Sequence, residues 1–184
     1  MNHAFKQTEI KLKNNTLVTI REAEISDAPR LLGAIKKYIP ESDFIPKLGS
    51  EIKLTIAQEE GWIQSFLEKD NSLLLVAEYD NELIGNIDLT GNSRIVMAHT
   101  AVIGMGILAD WRGIGLGTAL LQSIILWAKE NPLLELIWLQ VYTANAAGMN
   151  LYKKAGFIEN GIIKNFFKNG NTYYDNLTMS MKVG

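Results

Sequence analysis

The 184-residue chain has no cysteine. That excludes a thiol nucleophile, a disulfide, a cysteine-held metal and an iron–sulfur cluster. Histidine is nearly absent too, with only His3 and His99. A zinc site of several histidines is excluded, and a Ser-His-Asp triad would have to use His99, because His3 falls in a stretch, residues 1–9, expected to be loose. Charge of one sign is also lacking: 18 Lys and Arg against 20 Asp and Glu give −2. Neither nucleic acid nor an anionic membrane has an electrostatic case. The longest apolar stretch, Thr118 to Ala128, is interrupted by Gln122 and Ser123 and falls well short of the ~20 residues of a membrane span. The N-terminus lacks the charged-then-apolar order of a signal peptide, so a soluble, cytoplasmic protein is expected. Any chemistry must therefore run on backbone dipoles, hydroxyls and carboxylates.

What is present is ordinary globular material, 47% hydrophobic and 21% charged, enough for one domain over 1–184 with its core at about 17–183. Leu17 to Arg21 alternates as a half-buried strand. Ser26 reads as an N-cap for a helix to about Lys37, and Pro40 to Lys53 reads as a loop. Thr55 and Gln58 form a capping-box pattern opening a helix over roughly 55–69. Ser72–Tyr79, Leu83–Thr90 and the long run Ile95–Leu108 read as three strands of an antiparallel meander. A helix to about Glu130 follows, with Leu116, Leu120, Ile124 and Ala128 on one face. A strand over Leu133–Thr143 then implies a right-handed parallel crossover. A short helix at about 145–155, ended by Gly156, leads to a hairpin of Phe157–Phe167 and Thr172–Met181. The fold class is α/β, a mixed central sheet flanked by helices.

Residues 111–119 read WRGIGLGTA, between a strand and a helix. Alternate glycines let the backbone bend tightly and bring N–H groups close to a ligand. The helix N-terminus adds unpaired donors and a positive dipole end, and Arg112 a fixed charge, which together make a phosphate cradle. The absence of a lysine argues against a P-loop. GMGILA at 104–109 satisfies a dinucleotide fingerprint as a string, but it lies within or at the end of a strand and opens no helix, so the match is read as accidental.

Arg112-x-x-Gly115-x-Gly117 resembles the R/Q-x-x-G-x-G/A signature of the GNAT N-acyltransferase superfamily. Downstream, Asn145 to Phe157 reads NAAGMNLYKKAGF and is similar to that superfamily's N-x-x-A…L-Y-x-x-x-G-F segment; Gly148 stands where the family often has Ala. The element order agrees as well, and DNLTM at 175–179 is similar to the last strand of many members. The resemblance implies the GNAT fold and an acetyl-CoA-dependent N-acetyltransferase that transfers acetyl directly to a primary amine in a ternary complex, without a metal. It implies that Arg112, Gly113, Ile114, Gly115, Leu116, Gly117 and Thr118 hold the pyrophosphate. The pantetheine arm would pair with backbone near Met105, Ile107 and Leu108, with an N–H near Leu108 polarising the thioester carbonyl. Asn145 would bind the pantetheine, and Tyr152, two helical turns on, would protonate the departing thiolate. Read alone, Tyr152 is a core tyrosine and Asn145 a helix N-cap.

The proton acceptor for the amine stays open among Glu78, Asp88, His99 and a water relay. If its strand is straight, His99 lies about 30 Å from Leu108, which favours a structural or substrate-pocket role. The acceptor is a small-molecule or peptide amine; a homodimer is compatible with the sequence, and no nucleic-acid or membrane partner is expected. Two other readings compete: a non-catalytic acyl-CoA-binding or regulatory module on the same fold, and a nicotinamide oxidoreductase resting on GMGILA.

Overall fold

The computed structural model describes residues 4–184; His3 lies outside them. One eight-stranded sheet runs in the order β1-β2-β3-β4-β5-β6-β8-β7. Its strands are β1 (Thr8–Lys11), β2 (Leu17–Glu22), β3 (Leu73–Tyr79), β4 (Glu82–Gly91), β5 (Thr100–Ile107), β6 (Leu136–Tyr142), β7 (Ile158–Asn169) and β8 (Thr172–Lys182). The helices are α1 (Ala28–Tyr38), α2 (Ile56–Leu67), α3 (Leu116–Glu130) and α4 (Ala146–Ala155). Every neighbouring pair is antiparallel except β5 and β6. The meander, the parallel crossover and the terminal hairpin are thus as expected.

Period-two alternation sorts β3 onto two cores. Leu73, Leu75 and Ala77 face one cluster together with Leu116, Leu120, Ile124 and Ala128 of α3. Leu74 and Val76 face the other, with Leu31, Ala34, Ile35 and Tyr38 of α1 and Ile63 and Phe66 of α2. Both faces of β3 are buried, which explains its unbroken apolar run. Each fully buried leucine or isoleucine contributes about 1.5–3 kcal/mol. The capping box of α2 forms as read: Gln58 N–H donates to Thr55 Oγ1 at 3.3 Å and Thr55 N–H to Gln58 Oε1 at 2.9 Å.

Three expectations fail. Residues 1–9 are not loose throughout: Thr8 and Glu9 open an edge strand, Thr8–Lys11, that pairs with 17–20, Ile10 lying opposite Val18. Ser26 does not cap α1. It sits inside a 3-10 turn, Ile25–Asp27, and α1 begins at Ala28 with Pro29 in its first turn, where a missing N–H costs nothing. Ile95–Leu108 is not one strand: Ile95–Met97 form an exposed 3-10 turn, and β5 starts only at Thr100.

An ion cluster ties the start of α1 to the sheet. Arg21 of β2 grips Asp27 with two bonds of 2.7 and 2.8 Å and reaches Glu78 of β3 at 2.6 Å. Arg30 also bonds Asp27 and Glu78. Burial raises the Asp27 pKa, but the Arg21 guanidinium, the Glu24 N–H and Arg30 outweigh it and pull the carboxyl down to about 2. Its stabilising effect is complete above the ordinary carboxylate range and is lost as pH falls from about 4 towards 2. Asp27→Asn is therefore expected to destabilise the fold by about 2 kcal/mol at pH 7 in urea unfolding. The deficit should shrink steadily below pH 4; a deficit independent of pH would contradict this account.

Candidate active site

β5 and β6 pair only through Thr100↔Leu136, Ala101↔Ile137 and Val102↔Trp138. Beyond these β5 stays bonded to β4 as far as Gly85↔Ile107, while β6 stays bonded to β8 as far as Tyr142↔Asn176. A gap opens inside the sheet, and one edge of β5 is left without a strand partner. Leu108 N–H donates to Ile84 O at 3.0 Å, on the β4 side. Backbone direction alternates along a strand, so the N–H groups of Met105 and Ile107 point into the gap. Leu108, expected to offer its N–H to a ligand, is committed to β4; Ile107 occupies the position that role needs.

The glycine loop follows. Ala109–Trp111 turn as a 3-10 helix, Gly113 takes φ 77° and Gly115 φ 100°. These left-handed conformations suit glycine. α3 has no side-chain cap, and its first backbone bond runs from Ala119 N–H to Gly115 O at 3.0 Å. The N–H groups of Leu116, Gly117 and Thr118 therefore lack intrahelical partners and point outward from the N-terminus. A side chain at Gly117 would meet Ile107 at 3.3 Å and Leu151 at 3.5 Å, so this glycine is where β5, α3 and α4 close together. Arg112 folds back over the end of β5, donating from Nε to Ile107 O at 2.9 Å and from Nη1 to the Glu41 carbonyl at 3.0 Å. Lys13, which sequence reasoning missed, docks on the same loop. Its N–H donates to Ile114 O at 3.0 Å, and its side-chain carbons lie beside Gly115. It lies just past β1, an edge strand with no periodic signal, so nothing local in the sequence pointed to it.

α4 supplies the other residues. Asn145 caps it, its Oδ1 accepting from Gly148 N–H at 2.8 Å. A side chain at Gly148 would come within 2.6 Å of Asn145 Nδ2, which accounts for glycine where alanine is more usual. Tyr152 is half-buried and packs edge-on to Phe157 at 5.9 Å. Burial pushes its hydroxyl up to about 12.

Asp88, Asn86, Gly104 and Gly106 share the sheet face that carries α1 and α2. Asp88 stands opposite Gly104, where a Cβ would meet its Oδ1 at 2.6 Å. A Cβ at Gly106 would run into the Tyr38 ring. The GMG of the apparent dinucleotide fingerprint thus makes room for a carboxylate and an aromatic ring, within a strand. Burial pushes Asp88 up to about 6, with the Thr90 hydroxyl holding it partly down. Glu78 is committed to Arg21 and Arg30, two strands away from the gap. His99, the third candidate proton acceptor, is exposed; its carbonyl accepts from Glu135 and Leu136 N–H. Lys153 bonds Glu159 at 2.6 Å. Among the described residues no cluster of three His, Asp or Glu could hold a metal ion, and no helix is long and apolar enough to cross a membrane.

The sequence pattern of the acetyltransferase (GNAT) family matches residues 40–157. The chain belongs to the GNAT acetyltransferase family, and is an acyltransferase of that fold. It is similar to an N-alpha-acetyltransferase of Sulfurisphaera tokodaii, 32% identical over 59% of this chain and 70% of the relative. An L-amino acid N-acetyltransferase of Escherichia coli is 25% identical over 62% of this chain and 70% of its own. Among solved structures, a GNAT-family acetyltransferase from Streptococcus pneumoniae superposes with a TM-score of 0.87 at 29% identity, covering 91% of this chain and 99% of the other. An acetyltransferase from Salmonella typhimurium, solved with acetyl-CoA, shares the fold at TM-score 0.81 and 17% identity over 91% and 94% of the two chains.

Gly148→Ala tests the local account of α4. The new methyl gains about 1 kcal/mol of helix propensity and displaces an Asn145 cap worth about 1 kcal/mol. Thermal unfolding should barely move, whereas Asn145→Ala alone should cost about 1 kcal/mol; a Gly148→Ala protein stabilised by the full propensity gain would show that the cap survives.

Proposed function

We propose that the protein is a single-domain N-acetyltransferase that moves the acetyl group of acetyl-CoA directly onto an amine within a ternary complex. The observation that carries this reading is the gap between β5 and β6, bordered by unpaired β5 backbone and by the uncapped start of α3. The residues present suit an acyl-CoA. The orphan N–H groups of Leu116, Gly117 and Thr118, with Gly113 and Gly115 keeping the approach clear, suit a pyrophosphate. Met105 and Ile107 offer main-chain partners to an extended amide-bearing arm. When bound, acetyl-CoA supplies an acyl group activated as a thioester.

The chain's own groups then have separate tasks. The Ile107 N–H faces negative charge developing on the acyl oxygen, in place of Leu108. Asp88 takes a proton from the amine as the C–N bond forms, directly or through one water. A carboxylate poised near 6 is largely ionised at neutral pH and still basic enough to help. Tyr152 gives its proton to the sulfur as the C–S bond breaks; with its hydroxyl at about 12, it stays protonated until that moment. Asn145 orients the arm from the start of α4. Lys13 and Arg112 add positive charge around the cradle. No cysteine exists to carry an acyl-enzyme, in keeping with direct transfer.

CoA release measured with and without an amine panel tests the reading. Free thiol is expected only when acetyl-CoA and amine are both present, and a burst without amine would overturn direct transfer. With an accepted amine, kcat/KM should rise with pH through about 6 as Asp88 loses its proton, and Asp88→Asn should abolish that limb and lower the rate on the order of 100-fold. Tyr152→Phe should reduce kcat about 10- to 100-fold while acetyl-CoA binding holds; a wild-type rate would remove the tyrosine from the mechanism.

A further inference from the structure

Lys13 lies outside residues 40–157, the stretch that carries the GNAT pattern, yet the fold sets it against the glycine loop. It stands at the tip of the β1–β2 hairpin, and that tip is held on both sides. Leu12, only 5% exposed, anchors it in the core shared with α3. The turn itself closes through Leu12 N–H to Thr16 O at 2.8 Å and Asn15 N–H to Leu12 O at 3.0 Å, with Asn15 at a left-handed φ of 66°. Lys13 N–H then crosses to Ile114 O at 3.0 Å. From this pinned backbone the side chain runs along Gly115. A Cβ built on that glycine would lie 3.6 Å from Lys13 Cγ, 4.0 Å from Cδ and 3.8 Å from Cε. Stem carbons at nearly one distance mean that the side chain passes alongside the glycine. The ammonium, one bond beyond Cε, is therefore carried to the start of α3, where the N–H groups of Leu116 and Gly117 have no intrahelical partner.

The charge of Lys13 is uncommitted: the side chain is exposed and makes no ion pair among the described residues. Arg112, the cation within the signature, is placed differently. Its Nε and Nη1 already donate to the carbonyls of Ile107 and Glu41. We propose that Lys13 is a ligand of the acyl-CoA pyrophosphate, so that the N-terminal hairpin supplies from outside the signature a cation that the glycine loop does not contain. This rests on the reading of the gap as an acyl-CoA site. A lysine ammonium meets phosphate as a point charge and needs no fixed fork geometry. Set beside a helix N-terminus, it adds to a field that already favours an anion. The pyrophosphate is assigned, and not the 3′-phosphate, because the stem of Lys13 lies on Gly115, immediately before the N–H groups that suit the pyrophosphate.

Titration calorimetry with acetyl-CoA and with its 3′-dephospho form measures Kd without amine or turnover. Lys13→Gln is expected to weaken both ligands by about 10-fold, since both keep the pyrophosphate. Lys13→Arg, which keeps the charge, should recover most of that loss and serves as the folded control. A loss with acetyl-CoA that vanishes with the 3′-dephospho form would put Lys13 on the 3′-phosphate and overturn the assignment. An unchanged Kd for both ligands in Lys13→Gln would overturn it too. The two readings fail separately: wild-type protein that binds neither ligand would sink the acyl-CoA reading, whereas tight binding that is indifferent to Lys13→Gln would sink this one alone.

Discussion

Everything at the candidate site depends on the parting of β5 and β6 after three residue pairs. Two parallel strands with full pairing would bury the β5 backbone and leave no route between the faces of the sheet. Parted, they expose main-chain donors that alternate with those used by β4, and they let α3 and α4 bring their N-termini to one opening. The gap leaves polar groups that only a ligand or water can satisfy. The sheet around it carries that cost. β3 is buried on both faces, and β2, β3 and α1 are locked together by Arg21, Asp27, Glu78 and Arg30.

Glycine has three different uses around the gap. Gly113 and Gly115 serve through left-handed backbone. Gly117 serves through smallness, because a side chain there would press on Ile107 and Leu151 where β5 meets both helices. Gly104 and Gly106 are ordinary strand residues whose missing side chains leave space for Asp88 and Tyr38. One composition signal thus encodes a left-handed loop, a packing junction and room for two side chains on the sheet.

Much of this was legible in the sequence because it is local. Period-two and period-3.6 patterns placed the meander and the α3 face, the Thr55–Gln58 capping box set a helix start, and the glycines marked the tight loop that leads into α3. The second glycine set was misleading as a string, since its meaning lies in what crosses the sheet from α1 and β4. β1 was missed because four residues pairing at an edge carry little periodicity of their own. The switch from Leu108 to Ile107 as the N–H facing the gap could not be read either; it follows from strand register, which is a tertiary fact. Asp88 looked no different from Glu78 until packing separated them, one set opposite a glycine and the other held by two arginines.

That separation bears on how a chain without cysteine and with no histidine in the described site could move protons near neutrality under the proposed mechanism. An exposed carboxylate at its ordinary pKa is a weak base near neutrality. Burial acts on a carboxylate and a phenol in the same direction, because it always disfavours the charged form. It lifts Asp88 to about 6, the range the proposed base requires. It lifts Tyr152 to about 12, so that the proposed acid is protonated at neutral pH. The proposed base and the proposed acid thus owe their shifts to one cause, the partial burial of each group.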